Sequence, residues 1–157
     1  FSTAPDPLLV LPSITAPGYD YRVVNVEVQK QLQGSLLNWH RRMLTCRRLL
    51  PALRHGDFEL LECSHPAVIV YVRTSESMTV LVAANLSAAG ASLRLDLSRW
   101  KGERTREVLW GCEFPPADHD WFVYLPAHGF SWWLIGEVDA ELDDQAAQRS
   151  RPVTAPD

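Results

Sequence analysis

The sequence has few cysteines, no long apolar run and no excess of basic residues, and each shortage excludes a class of protein. Three cysteines in 157 residues are too few, and odd in number, for a secreted domain held by disulfides. No apolar run reaches the roughly 20 residues that a membrane helix needs. The 15 basic residues are outnumbered by 19 acidic ones and form no stripe with aromatics, so we expect no binding to nucleic acid or membrane.

The sequence also lacks the usual marks of a catalytic or cofactor site. No Gly-rich phosphate loop is present, and the five histidines have no cysteine or serine placed as a nucleophile. Glu113, Asp118, His119 and Asp120 could form a metal site or an acid/base pair, but two prolines separate them and a solvated loop fits better. We therefore expect no catalytic residue, metal or cofactor site in this chain.

The three cysteines are expected to be reduced and buried. Cys46, Cys63 and Cys112 lie far apart, in segments that read as helix, strand and loop. Free thiols of this kind are typical of a reducing compartment. The sequence therefore predicts a cytoplasmic protein.

The one strongly periodic segment predicts an amphipathic helix over residues 36–49. Its apolar residues fall on one half of a cylinder at 3.6 residues per turn. Ser35 can accept a hydrogen bond from the first turn, and Pro51 ends the helix. Trp39 belongs to the apolar half and is expected to have a structural role.

Arg47 is the exception on this helix, because it projects into the apolar half. A buried guanidinium without a partner is too costly to persist, so we expect Arg47 to pair with Asp57 or Glu59 at the junction of helix and sheet. The alternative is a side chain that runs along the apolar face to water. Arg48, on the polar half, is expected to matter little.

After Gly56 the apolar pattern changes to period two. The predicted strands are 58–63, 68–74, 78–86, 92–97, 106–110, 121–125 and 130–135. Short strands at this spacing indicate an antiparallel β-sandwich. Residues 80–84 and 130–135 are apolar on both faces, so either the helix or a body absent from this chain must supply a second cover.

The segments outside the helix and the strands are read from composition. Four prolines in residues 1–20 predict an extended segment, and its apolar residues suggest that it lies on a neighbouring body, although packing on the sheet is the alternative. Residues 21–28 predict a short strand and 29–34 a turn. Residues 137–157 are acidic and predict a disordered tail.

Because the chain begins at Phe1 without a methionine, we expect a piece of a longer polypeptide.

The tryptophans invite a carbohydrate-binding interpretation, because sugar rings stack on exposed aromatic faces. Trp132 and Trp133 lie in an apolar strand, where tryptophan is usually core. Trp100 lies in a turn beside Lys101 and Gly102. We expect Trp100 to be the candidate sugar contact, and Trp132 and Trp133 to be structural.

Several segments together resemble a known family, more through their order and spacing than through any one motif. They are residues 19–29 (YDYRVVNVEVQ), 35–39 (SLLNW), 46–53 (CRRLLPAL), 56–61 (GDFELL), 82–87 (VAANLS), 95–97 (LDL), 113–116 (EFPP) and 125–130 (LPAHGF). Over residues 1–135 the chain resembles the C-terminal portion of enzymes in the trehalose synthase branch of the α-amylase superfamily.

The resemblance implies a fold and a domain division. The fold is mainly β: an antiparallel β-sandwich of the α-amylase C-terminal type, preceded by an extended loop and one amphipathic helix from the end of a (β/α)8 barrel. Residues 1–55 would end the catalytic barrel, 56–136 would form the sandwich, and 137–157 would be the tail.

The resemblance also implies a function for the intact enzyme. It would interconvert maltose and trehalose by intramolecular glucosyl transfer, and this portion would brace the barrel without supplying a catalytic carboxylate. The expected partners are the rest of the barrel, the maltose or trehalose substrate, and a second copy in a homo-oligomer. The alternatives are the C-terminal part of an α-glucosidase or α-amylase-type hydrolase, or a stand-alone sandwich that binds glucan or protein.

Overall fold

The computed structural model describes residues 16–136 together with Pro5, Leu8 and Ile14. Most of the predicted extended segment over 1–20, and the whole predicted tail over 137–157, lie outside the described residues. The chain divides into two compact units, Phe1–Thr45 and Cys46–Asp157. All the described strands belong to the second unit.

The first unit contains a helix where the sequence predicts a strand. Helix α1 is Val26–Gln31, so the predicted strand over 21–28 is wrong. Asn25 begins the helix: its Oδ1 accepts a hydrogen bond from the Val28 N–H at 2.9 Å, and its Nδ2 donates to the Tyr21 carbonyl at 2.9 Å. A cap that satisfies backbone groups at both sides outweighs a short alternating pattern.

Helix α2 is Leu36–Leu49, as predicted. The Ser35 hydroxyl accepts a hydrogen bond from the N–H of Asn38 at 3.3 Å, which caps the first turn. No residue of α2 is buried, and Leu36 and Leu44 are 64% and 63% exposed. The apolar stripe thus lacks full cover within the described part of the chain. No helix there is both long and apolar enough to cross a membrane.

Pro51 ends α2 and also begins a helix that the sequence reading missed. Helix α3 is Pro51–His55, with the proline at its first position, where the missing N–H costs nothing. At Gly56, which follows, a Cβ would lie 2.6 Å from the Ala52 carbonyl oxygen and 2.7 Å from that of Thr74. The absence of a side chain therefore allows the helix to turn directly into the first strand.

The second unit contains two antiparallel sheets. The described strands are β1 (Asp57–Leu60), β2 (Val68–Thr74), β3 (Thr79–Asn85), β4 (Ala91–Leu95), β5 (Thr105–Glu107), β6 (Glu113–Phe114), β7 (Trp121–Leu125) and β8 (Phe130–Ile135). The large sheet has the order β1-β2-β3-β8-β5-β6, and β4 pairs with β7 in the small sheet. All the predicted strands are found: 68–74, 121–125 and 130–135 have the predicted bounds, and the other four have shifted ends. Strand β6 was missed because it has two residues.

The main core lies between the two sheets, which confirms the predicted antiparallel sandwich. Leu93 of β4 and Val123 of β7 point inward and pack with Leu81 of the large sheet. Trp133 of β8 is fully buried, and its ring meets that of Trp121 edge-on at 5.1 Å. Such an aromatic pair contributes about 0.5–1.5 kcal/mol beyond the area that it buries.

Strand β3 is buried on both faces, as its uniformly apolar sequence predicts. Val80 and Val82 point to the outer face of the large sheet, the face turned away from the small sheet. There they pack with Leu134 of β8, with Leu50 between α2 and α3, and with Ala52 of α3. The unpredicted short helix therefore supplies part of the second cover that the sequence requires.

Strand β5 is shorter than predicted because the buried Glu107 side chain turns the chain. Its Oε2 accepts a hydrogen bond from the Trp110 N–H at 2.6 Å, and its Oε1 accepts one from the Ser131 hydroxyl at 3.0 Å. Gly111 follows with φ 74°, a conformation that glycine adopts without strain. The side chain of Glu107, 3% exposed, thus replaces a continued ladder with a turn.

Asn85 joins two turns at one end of the sandwich. The side chain is 2% exposed, and its Nδ2 donates to the carbonyls of Ala89 at 2.7 Å and Pro126 at 2.9 Å. Its Oδ1 accepts from the N–H of Ser87 at 3.0 Å and from the hydroxyl at 2.8 Å. The Asn85 amide is therefore buried with both its nitrogen and its oxygen hydrogen-bonded in the folded chain.

The cysteines are free thiols, but they are less buried than predicted. Cys46 and Cys63 are half-buried, whereas Cys112 is exposed. The prediction of three buried thiols is therefore wrong for Cys112. Its position in the turn after β5, set by the Glu107 carboxylate, places it at the surface.

Candidate functional site

A cleft of about 250 Å³ opens on the outer face of the large sheet. It is lined by Arg47, Leu53, Phe58, Tyr71, Arg73 and Trp132. Tyr71 of β2 and Trp132 of β8 lie on either side of the buried Val82 in one cross-strand row. The Phe58 ring packs on Tyr71 with 5.1 Å between ring centres. The sheet thus supplies an aromatic floor, and the segment around α3 supplies the rest of the lining.

Among the residues that the structure describes, the lining of the cleft contains two arginines and no acidic residue, so these side chains give it a positive charge. The Arg73 Nε donates to the Ala52 carbonyl at 3.3 Å, which uses one of its five N–H groups. Within the described residues, no ion pair includes Arg47 or Arg73. The cleft therefore presents guanidinium groups beside aromatic surface without a matching carboxylate.

The prediction that Arg47 is buried against Asp57 or Glu59 is wrong. Arg47 is exposed, and on β1 it is Phe58 that faces the cleft. The side chains of a strand alternate between faces, so Asp57 and Glu59 point to the other side of the sheet. There Glu59 accepts two hydrogen bonds from Arg99, both at 2.9 Å.

Exposed apolar residues continue from the cleft along the outer face. Phe58 and Leu60 of β1 are 55% and 64% exposed, and Ile69 of β2 is 44% exposed. On the inner face of the same sheet, Val70 and Val72 are 1% exposed. The outer face at this edge thus has the side chains of a packed surface but only partial cover, which marks an interaction surface.

Trp100, the predicted sugar contact, is partly covered by a neighbouring cation. It lies in a 3-10 turn, Ser98–Trp100, half-buried against the main core. The Arg99 guanidinium stacks 3.9 Å from the ring centroid, and Glu59 holds that guanidinium in place. A sugar stacking on this face of Trp100 would have to displace a bidentate ion pair.

The structure separates most of the predicted site residues. Of these, Arg47 and Trp132 line the cleft. Trp133, the next residue along β8, points to the opposite face and belongs to the main core. Asp57 is exposed at the start of β1. Neighbouring tryptophans on one strand therefore serve different surfaces.

Ser35 and Trp39 belong to the first unit. Ser35 caps α2, and its hydroxyl also donates to the Gln29 carbonyl at 2.6 Å. Trp39 is half-buried, with its ring edge-on to that of His40 at 4.8 Å. Both residues thus take part in the local structure of the helix.

The sequence reading missed the other residues of the cleft. Phe58, Tyr71 and Arg73 lie in strands whose two-residue alternation places them on one sheet face, and that signal was available. Leu53 was not predictable, because it reaches the cleft through a helix that the pattern did not reveal. The strand alternation defines the face, and α3 defines where the cleft begins.

The polar segment over residues 113–120, predicted to be a solvated loop, begins with strand β6 and forms local hydrogen bonds and ion pairs. Asp118 bonds with the His119 ring at 3.1 Å and accepts from its N–H at 2.8 Å, and these bonds hold the pKa of Asp118 below its usual value. Asp120 pairs with Arg94, and Glu113 pairs with Arg104 at 3.1 Å. In the part of the chain that the structure describes, no group of acidic, histidine and cysteine side chains is arranged to hold a metal.

The small sheet exposes two aromatic side chains on its outer side. Phe122 and Tyr124 of β7 are 52% and 59% exposed and lie two residues apart on one face. The Arg94 guanidinium lies 5.9 Å from the Phe122 ring centroid and pairs with Asp120. This face therefore combines open aromatic surface with a hydrogen-bonding ion pair.

Comparison with known families identifies the sandwich. Residues 58–132 match the family model described as the C-terminal domain of maltogenic amylase. The matched span begins on β1 and ends on β8, so it includes Phe58 and Trp132 at opposite sides of the cleft.

Two relatives and one solved structure extend the comparison. The trehalose synthase/amylase of Mycobacterium tuberculosis is 40% identical over 139 residues, which cover 86% of this chain and 23% of that protein. The trehalose synthase of Pimelobacter sp. is 38% identical over 144 residues, covering 88% of this chain and 25% of that protein. An α-amylase from Anoxybacillus shares the fold, with a TM-score of 0.60 and 24% identity over 78% of this chain and 26% of its own.

The chain thus spans about a quarter of the length of these relatives. The sandwich, the family match and the identity over most of the chain agree on one assignment. The chain belongs to the trehalose synthase branch of the α-amylase superfamily and carries the C-terminal domain of that family.

Proposed function

We propose that this chain is the C-terminal part of an enzyme that interconverts maltose and trehalose by intramolecular glucosyl transfer. Its own task is to brace the catalytic barrel. The identity of 38–40% with trehalose synthases supports the assignment to that activity. Because the chain spans about a quarter of those relatives, the activity requires residues outside it.

The observation that carries the bracing role is the incomplete cover of the outer sheet face. Phe58, Leu60 and Ile69 are large, apolar and exposed around a cleft on that face. Helix α2 likewise leaves Leu36 and Leu44 exposed. At about 25 cal/mol per Å² of apolar surface removed from water, covering such side chains strongly favours a packed neighbour.

In the proposed reaction, a carboxylate captures the glucosyl unit while a carboxylic acid protonates the leaving glucose. The released glucose then attacks the glucosyl–enzyme through another hydroxyl, which is a retaining mechanism. We assign none of these roles, and no cofactor, to a residue of this chain. The proposed partners are the barrel and its sugar substrate, and the proposed location is the cytoplasm.

Activity assays on two proteins test the proposal. The first is the purified 157-residue chain, and the second is the full polypeptide in which this chain is encoded. We expect the full polypeptide to convert maltose into trehalose and the chain alone to leave maltose unchanged. Turnover by the chain alone would refute the proposal, and release of glucose without trehalose would favour the hydrolase alternative.

The exposed apolar residues of the outer face predict that the isolated chain associates with itself. In the isolated chain, exposed apolar surface favours pairing with a second copy, which would give a homo-oligomer. Sedimentation of the chain with and without the Leu60→Ser substitution measures this effect. A clean monomer that binds no hydrophobic dye would show that the outer face needs no cover.

A second candidate function is glucan binding by the small sheet. The exposed pair Phe122 and Tyr124, beside the ion pair of Arg94 and Asp120, offers ring faces for stacking and charged groups for sugar hydroxyls. Titration with maltoheptaose tests it, with Tyr124→Ala as the variant and Trp110→Ala, at an exposed tryptophan after β5 of the other sheet, as the control. Equal binding by both variants would remove this candidate.

A further inference from the structure

The cleft on the outer face contains an unbalanced pair of positive charges. Arg47 reaches it from the last turn of α2, and Arg73 reaches it from the outer face of β2. Among the described residues, the cleft lining offers neither of them a carboxylate. Two guanidinium groups that line one cleft favour an anion between them, because a carboxylate accepts charge-assisted hydrogen bonds from arginine.

The walls of the cleft restrict the kind of anion that fits. Leu53, Phe58, Tyr71 and Trp132 surround the charges with apolar and aromatic surface. The volume of about 250 Å³ accommodates one or two side chains. A carboxylate flanked by an apolar side chain matches both the charge and the surface, because the planar carboxylate can accept paired bonds from arginine.

We propose that an aspartate or glutamate from the part of the catalytic barrel outside this chain, next to an apolar residue, inserts into this cleft between Arg47 and Arg73. This inference rests on the proposed function, since the barrel is its source. The acids of β1 are not candidates: strand alternation turns them to the other face, where Arg99 holds Glu59. The cleft is also continuous with exposed Leu60, so one neighbour covers both.

The proposal separates the stability of the full polypeptide from that of the chain alone. Arg47→Gln removes one positive charge from the cleft and keeps most of the side chain. In the full polypeptide it leaves a buried carboxylate with one partner fewer, so the urea unfolding constant of this domain is expected to rise at least roughly tenfold. In the isolated chain, Arg47 is exposed, and the same substitution is expected to change little.

Two control variants distinguish charge pairing from general damage. Arg48→Gln alters the neighbouring arginine of α2, which is exposed and outside the cleft lining, and should affect neither protein. Arg47→Lys keeps the charge and should restore part of the stability of the full polypeptide. A loss of equal size in both proteins, or no loss in the full polypeptide, would overturn the proposal.

A direct readout identifies the occupant. A photo-cross-linking amino acid placed at Phe58, which faces the cleft, should capture a barrel peptide that contains an aspartate or glutamate. Capture of a peptide from this chain or from a second copy would overturn the inference. Maltose turnover by the full polypeptide is measured in parallel. A full polypeptide that does not convert maltose would count against the proposed activity, whereas a missing cross-link in an active enzyme would count only against the docking contact.

Discussion

The substitution Asn85→Asp should destabilise the sandwich far more than its small size suggests. Asn85 is almost fully buried, and its Nδ2 donates to the carbonyl oxygens of Ala89 and Pro126 at 2.7 and 2.9 Å. An aspartate has the same shape but presents an oxygen to both carbonyls. The two donated hydrogen bonds are lost, and a charge is placed against two acceptors.

The expected magnitude follows from those contacts. Each lost hydrogen bond removes about 0.5–1.5 kcal/mol. The Ala89 and Pro126 carbonyls each keep a second donor, the Ser87 hydroxyl and the Gly129 N–H, both at 2.9 Å. Burying a carboxylate against two acceptor oxygens adds the larger share, so we expect a loss of about 3–5 kcal/mol near pH 7. The loss should shrink as pH falls, because burial against two carbonyl oxygens raises the pKa of the introduced carboxyl group, and its protonated form regains one donor.

Urea unfolding of the purified chain, followed by tryptophan fluorescence at several pH values, measures this loss. Ser87→Ala is the matched control: it removes the hydroxyl that lies 2.8 Å from Asn85 Oδ1 and 2.9 Å from the Ala89 carbonyl oxygen, but leaves both bonds that Asn85 donates. It should cost no more than about 1.5 kcal/mol. If Asn85→Asp costs no more stability than this control, or if its effect does not depend on pH, the two hydrogen bonds that Asn85 donates are not what stabilises this end of the sandwich.

Two further predictions use matched pairs and the same urea assay. Gly56→Ala forces a Cβ against two backbone carbonyl oxygens at 2.6 and 2.7 Å and should cost about 2–4 kcal/mol of stability. In its control, Gly90→Ala, the new Cβ meets only the end of an exposed tyrosine side chain that can rotate away, so the loss should be under about 1 kcal/mol. Equal losses would show that the two carbonyl oxygens do not restrict position 56. Glu107→Gln replaces an acceptor of the Trp110 N–H or of the Ser131 hydroxyl with an amide donor and should cost about 2 kcal/mol. Glu113→Gln, at an exposed carboxylate, should cost under about 1 kcal/mol, and a loss as large as that of Glu107→Gln would show that burial is not what makes the latter costly.

The sandwich was predictable because period-two alternation over seven segments is a strong and repeated signal. The local helices were not. The strand predicted over residues 21–28 was wrong because the Asn25 side chain forms hydrogen bonds with Tyr21 before it and Val28 after it. A pattern of alternating apolar residues does not take such bonds into account. Helix α3 was missed because Pro51 was read only as an end, although proline is also favoured at the first helical position.

The site was predictable only in part. Helical periodicity correctly marked Arg47 as unusual. Choosing Asp57 or Glu59 as its partner, however, required knowing which side chains of β1 point to each face of the sheet, and this depends on the strand register. The register pairs Phe58 with Arg73, and this places the acids on the far side. Charge matching along a sequence cannot reveal which face of a strand is turned towards a helix.

The strand order of the large sheet has a consequence for synthesis on the ribosome. Strand β8 is the last strand of the described chain, yet it lies between β3 and β5. Strands β1 to β3 can pair as a meander while later residues are still being added, but β5 and β6 have no place in the sheet until β8 emerges. The Trp133 that fills the main core arrives with that strand. Pairing between distant segments is slow, so we expect the sheet to be completed only after β8 has left the ribosome, with β1 to β3 exposing their unpaired edge until then.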